Sequence, residues 1–142
     1  MMRKQRRGDG GFTLLELLVV LAIMGMLAAI IAPQVIKYLG TSRTKTAQVQ
    51  IQNVMAALEL YRLDVGRYPT GQEGLQSLVT APPSAPNWNG PYLKKDSALK
   101  DPWGAPYIYQ VPGQHGEVDV FSLGQDQKPG GTGEDQDVGS WQ

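Results

Sequence analysis

Side chains able to do chemistry are sparse in this sequence and poorly matched to one another. His115 is the single histidine and there is no cysteine. That removes disulfide staples, thiolate zinc sites and any histidine triad for a metal. His115 sits in Pro112-Gly113-Gln114-His115-Gly116, a turn-forming setting in which a lone histidine reads as a loop residue. Ser122 lacks the Gly-x-Ser-x-Gly surroundings of an exposed nucleophile. Glu59, Asp64 and Glu73 have no paired nucleophile or base and read as solvated helix or loop charges. No catalytic residue is assigned, and an enzyme is not expected.

Two acidic features remain. Glu16 is the one charge between Phe12 and Ile36. A carboxylate inside an apolar helix costs about 2.5–3.5 kcal/mol on insertion scales, so it needs a specific cationic partner. At the far end, Asp126, Asp135 and Asp137 stand on either side of Gly130-Gly131-Thr132-Gly133. Calcium takes roughly six to eight oxygen ligands from carboxylates and carbonyls, and a flexible loop could bring these aspartates together around it. Composition by itself favours a disordered acidic tail.

The elements that must position these residues follow from periodicity and punctuation. Phe12 to Ile36 is long enough to cross a bilayer, since a helix rises about 1.5 Å per residue and the hydrocarbon core is roughly 30 Å thick. Arg3, Lys4, Arg6 and Arg7 against Asp9 give residues 1–11 a charge of +3, while residues 12–142 carry −3. A basic flank predicts a cytoplasmic N-terminus and a body on the other side. No basic face on the body suggests nucleic-acid binding. A secretory signal peptide with a small-residue site near Ala29 to Ala32 would share the basic start and apolar run, but Glu16 counts against it. Beyond the span, Ile51, Val54, Leu58, Tyr61 and Val65 recur at helical spacing, predicting one helix from Phe12 to about Val65 with an amphipathic second half. Gly66 reads as its C-cap and Pro69 forbids continuation. Gly25 and Pro33 cost about 1 and 3 kcal/mol in a helix interior, so a kink or unwound stretch between them is expected.

After Pro69 the chain is densely broken by Pro and Gly, and only short elements fit. Gly74 to Val79 reads as a small helix, while Tyr107 to Val111 and Val118 to Leu123 alternate as two strands of a hairpin.

The order Gly11-Phe12-Thr13-Leu14-Leu15-Glu16 after a short basic leader resembles the processing site of type IV pilins and pseudopilins. Further marks run along nearly the whole chain: Arg67-Tyr68-Pro69-Thr70, Gln72 to Val79, Asp101-Pro102-Trp103-Gly104, Pro112 to Gly116 and Phe121 to Asp126. Together these resemble the major pseudopilin of type II secretion systems. The resemblance implies an α+β, type IV pilin-like fold: a long N-terminal helix on a small antiparallel sheet, with a C-terminal calcium loop. It implies a cleaved leader over 1–11, a transmembrane and assembly helix over 12–36, and a periplasmic globular domain over 37–142. By the same resemblance a prepilin peptidase cuts between Gly11 and Phe12 and methylates the new amine, and Glu16 serves assembly, pairing with the Phe12 amine of a neighbouring subunit. Calcium would be held by Asp126, by Asp135, Asp137 or both, and by the carbonyls of Leu123 and Lys128. Implied partners are further copies of the chain in a helical homopolymer, minor pseudopilins, and an inner-membrane assembly platform with its ATPase. A surface type IV pilin is the nearest rival, and a membrane-anchored periplasmic binding or enzymatic domain the next.

Overall fold

The computed structural model describes residues 10–142, so the basic leader side chains Arg3 to Asp9 lie outside the described residues. The chain divides into two compact units, Met1–Ile36 and Lys37–Gln142.

One helix, α1, is assigned from Leu14 to Val65. In the first unit its large apolar side chains, Leu14 to Ile36, are all exposed, and it is long and apolar enough to cross a membrane. The helical assignment passes Gly25 and Pro33 without a break. The expected unwound stretch is therefore absent. Proline removes its own hydrogen bond, but the residues around it keep their i to i−4 bonds and hold the winding.

In the second unit the predicted stripe is buried: Ile51, Val54, Leu58 and Tyr61 face the core with Val65 packed against it, and Ala47 extends the stripe one turn earlier. Gly66 then turns to φ 86°, a conformation that costs glycine little, and its N–H bonds the Arg62 carbonyl at 2.8 Å. A 3-10 turn at Leu75–Leu78 replaces the predicted small helix and buries Leu75 and Leu78 on α1. The hairpin is β1 (Ile108–Gln110) and β2 (Asp119–Ser122), antiparallel, with Ile108 opposite Phe121 and Gln110 opposite Asp119. A third strand, β3 (Val138–Gly139), pairs with the other edge of β2 and was not foreseen. Val118, Val120 and Val138 close the core from the sheet side.

The acidic side chains expected to be solvated are tied down. Arg67 grips Glu73 with two bonds of 2.7 Å, and the same carboxylate accepts the Thr70 N–H at 2.7 Å and the Ser84 hydroxyl. Only 9% of the Glu73 side chain is exposed. The Arg67 bonds hold its carboxyl well below the usual carboxylate range. Glu59 accepts the Tyr68 hydroxyl and pairs with Arg62 at 3.3 Å, and Asp64 accepts the Tyr92 hydroxyl at 2.8 Å. Each fastens the end of α1 to the segment that follows it.

Candidate functional site

In the first unit, Gly10 and Gly11 are exposed and outside any element, Phe12 is 78% exposed, and the helix begins just after Thr13. The Thr13 hydroxyl accepts the Glu16 N–H at 3.2 Å, and the Thr13 carbonyl accepts the Leu17 N–H at 3.2 Å. Thr13 is thus an N-cap, a role its hydroxyl is suited to and the sequence reading passed over. The cap places Glu16 in the first turn, where the helix dipole favours an anion. The Glu16 side chain is exposed and has no ion-pair partner among the described residues. Its carboxylate stands at the head of a helix whose apolar side chains are exposed.

In the second unit, the loop between β2 and β3 is ordered, against the reading as a disordered tail. Its root is fixed from below. Asp101 is buried and accepts the N–H groups of Trp103 and Ala105 at 3.1 and 2.8 Å, closing a turn over Asp101-Pro102-Trp103-Gly104. Its other oxygen accepts the Ser122 hydroxyl at 2.6 Å, and Ser122 in turn accepts the Gly124 N–H at 3.1 Å. Gln125 N–H bonds the Glu134 carbonyl at 2.8 Å across the loop. Gln127 adopts φ 55°, the left-handed region that favours glycine, and its side-chain amide donates to the Gly124 carbonyl. That bond is local compensation for the backbone conformation.

The tip of the loop rests on α1. Gly133 carbonyl accepts the Thr44 hydroxyl at 3.2 Å, and Arg43 pairs with Glu134 at 3.5 Å. Gly40 is buried there because a Cβ on it would come within 2.6 Å of the Glu134 side chain. Small size at position 40 makes the seat.

Among the predicted ion ligands, Asp126 accepts the Lys128 N–H at 3.1 Å through one oxygen, and Asp137 accepts the Gly130 N–H at 2.9 Å through Oδ2. Asp137 Oδ1 is buried with no hydrogen-bond partner. A buried acceptor left in this way costs free energy unless a cation or donor meets it, so Asp137 has one oxygen to offer a cation. Asp126, Asp135 and Asp137 do not converge as a set: among the described residues no three acidic, histidine or cysteine side chains could hold one ion. Carbonyls, including those of Leu123 and Lys128, would have to supply further oxygens.

His115 is the loop residue expected from its turn, but it has partners. Its ring nitrogen Nδ1 lies 3.1 Å from Asp119 Oδ2, and its ring stacks on Trp141 at 3.9 Å between centroids with 18° between planes. Asp119, buried at the start of β2, also accepts the N–H groups of Gln114 and His115 at 2.7 and 3.0 Å. Burial pushes the Asp119 carboxyl up, but these donors together outweigh it and hold the carboxyl below its ordinary value. An Asp four residues after a His, across a Gly-Glu-Val turn, was the available clue.

Comparison with known proteins adds two matches that between them span nearly the whole chain. Residues 34–141 match the family described as type II secretion system (T2SS), protein G, and residues 6–32 match the prokaryotic N-terminal methylation motif. The chain is 45% identical to the type II secretion system core protein G of Pseudomonas aeruginosa, covering 96% of this chain and 98% of that protein. It is 42% identical to the core protein G of Vibrio cholerae, over 97% of this chain and 95% of the relative. A crystal structure of the major pseudopilin from the type 2 secretion system of enterohaemorrhagic Escherichia coli superposes with a TM-score of 0.60 at 33% identity, covering 70% of this chain and 87% of that one.

Proposed function

This chain belongs to the type II secretion system protein G family and is a membrane-anchored periplasmic pseudopilin, and from that membership we propose how its residues serve a fibre. A prepilin peptidase cuts between Gly11 and Phe12 and methylates the new amine. The helix over 12–36 then spans the inner membrane once, with its N-terminus cytoplasmic and the domain over 37–142 periplasmic. Subunits leave the membrane and add to a helical homopolymer, alongside minor pseudopilins, through an inner-membrane platform and its ATPase. Growth of the fibre moves folded proteins towards an outer-membrane channel. The work of the chain is mechanical rather than enzymatic, with no step assigned to nucleic acid.

One observation carries this reading: Thr13 caps α1 so that Glu16 is offered in its first turn, ahead of apolar side chains that are all exposed. Such a surface must be covered, first by lipid and then by like helices, and a carboxylate among them needs a cation. The methylated Phe12 amine of a neighbour supplies it. In a strain lacking its own major pseudopilin, this chain should restore fibres and secretion. Glu16→Ala should be cut and inserted normally yet form no fibres. Abundant fibres from that variant would refute the pairing.

We further propose calcium as the ion of the C-terminal loop, held by the Asp126 and Asp137 carboxylates and by the carbonyls of Leu123 and Lys128, with Asp135 as a further candidate. Bound there, calcium would neutralise the carboxylates and cross-link the two ends of the loop. Support for this comes from the unpartnered Asp137 oxygen and from the ordered path of the loop.

A further inference from the structure

Strand β3 is only Val138–Gly139, yet it terminates the loop and carries Asp137 immediately before it. Two residues of pairing are too few to hold a register unaided. What comes after β3 supplies the rest. Ser140 N–H donates to the Val120 carbonyl at 2.9 Å, and its hydroxyl accepts the Val120 N–H at 3.2 Å. Trp141 then folds back so that its indole lies over Gly139, where any Cβ would collide with the ring. The same indole stacks on His115 and approaches Phe121 at 5.8 Å. His115 is itself held by Asp119, whose Oδ2 receives the ring and two backbone N–H groups. Trp141 remains 40% exposed, so its place is set by these partners rather than by burial in the core.

We infer that His115 is a positioning residue for the C-terminal ion loop: anchored on Asp119, it clamps Trp141 over Gly139 and thereby fixes β3 and the Asp137 carboxylate next to it. The inference rests on the calcium reading above and adds to it a residue outside the loop, on the far side of β2. The His115 ring stacks but touches no ligand, so its effect reaches the ion only through the strand. Loss of the clamp should leave the core intact and raise the cost of ordering Asp137. That cost appears as weaker ion binding.

The test uses the full chain in detergent, labelled with fluorotryptophan, with calcium titrated by calorimetry well below the melting temperature. The fluorine resonances of Trp88, Trp103 and Trp141 report each site separately. His115→Ala should weaken calcium binding about 3- to 10-fold, the range that a stacked aromatic pair supports. Only the Trp141 resonance should shift. His115→Phe keeps a ring to stack and should recover part of the affinity, while Trp141→Ala should reproduce the His115→Ala loss, with the double variant no worse than either single one. A purely structural role would lower the melting temperature and leave the affinity of the folded protein unchanged. Wild-type affinity in His115→Ala with all three resonances native, or no recovery in His115→Phe, would overturn the clamp. Should the wild type bind no calcium, the ion reading falls, and the clamp is judged by hydrogen exchange. His115→Ala must then reduce protection of the Val138 to Ser140 amides, and unchanged protection would refute it.

Discussion

Glutamine at position 73 would keep the shape of the side chain and one acceptor oxygen for the Thr70 N–H, with an NH2 group turned to Ser84, while removing the charge that Arg67 grips. Two bonds of 2.7 Å to a carboxylate that is 9% exposed place this pair among the stronger ones in the molecule. Removing one partner of a fully buried pair costs about 3–5 kcal/mol. The Arg67 side chain is 38% exposed, so water can solvate it once the charge is gone, and solvent already screens the attraction. About 2 kcal/mol is therefore expected for Glu73→Gln, in line with a charged hydrogen bond. For a folding unit of this size that lowers the melting temperature by about 8–12 °C. Tryptophan fluorescence of the full chain in detergent reads it, because Trp88 and Trp103 pack against the core.

The pH dependence has a fixed sign. The folded carboxyl is held below its unfolded value of about 4.3, so its contribution is complete above that pH and fades as pH falls below it. Asp119, also held below its ordinary value, titrates in both proteins and cancels in the difference. The gap between wild type and Glu73→Gln should therefore be widest at pH 7 and narrow below about pH 4. A gap of the same size at both ends, or none at pH 7, would refute the reasoning.

Intact-mass analysis of the membrane form should show a chain beginning at Phe12 with one added methyl group, and a start after Ala32 or at Met1 would exclude the pilin route. Chelating calcium should lower the melting temperature, because an ion present at 100 times its dissociation constant adds about 2.7 kcal/mol to the folded state. Equal rescue by magnesium would count against the site. Ser122→Ala strips a partner from both Asp101 and the Gly124 N–H. A loss of about 2 kcal/mol in urea unfolding is expected from the two orphaned groups, and a change near zero would show that water replaces the hydroxyl.

The parts legible in the sequence were those whose signal is local. Ile51, Val54, Leu58 and Tyr61 announce a buried helix face by spacing alone, and Tyr107 to Val111 with Val118 to Leu123 announce a hairpin by alternation. Gly11, Phe12 and Glu16 stand out because a charge in an apolar run breaks a strong rule. The misses are long-range or depend on tertiary geometry. Val138–Gly139 is too short to show a period, and its pairing is set by a strand well before it in the chain. Arg67 and Glu73 lie six residues apart in a segment without regular structure, so no periodicity could announce that they meet. His115 looked idle because its meaning is supplied by Trp141, which follows it only after the whole of β2 and the loop. The unpartnered oxygen of Asp137 is a property of packing, visible only once the loop has closed.

The seat that α1 offers to the loop tip behaves as a winding gauge. Gly40, Arg43 and Thr44 are three and four residues apart, so they present one surface only while that turn stays helical. Unwinding or over-twisting residues 40–44 would disperse the notch, the cation and the hydroxyl to different sides at once, and Gly133 and Glu134 would lose all three footholds together. Strain that unwinds this turn would therefore weaken the ion pair, the hydroxyl bond and the close packing at the loop tip together.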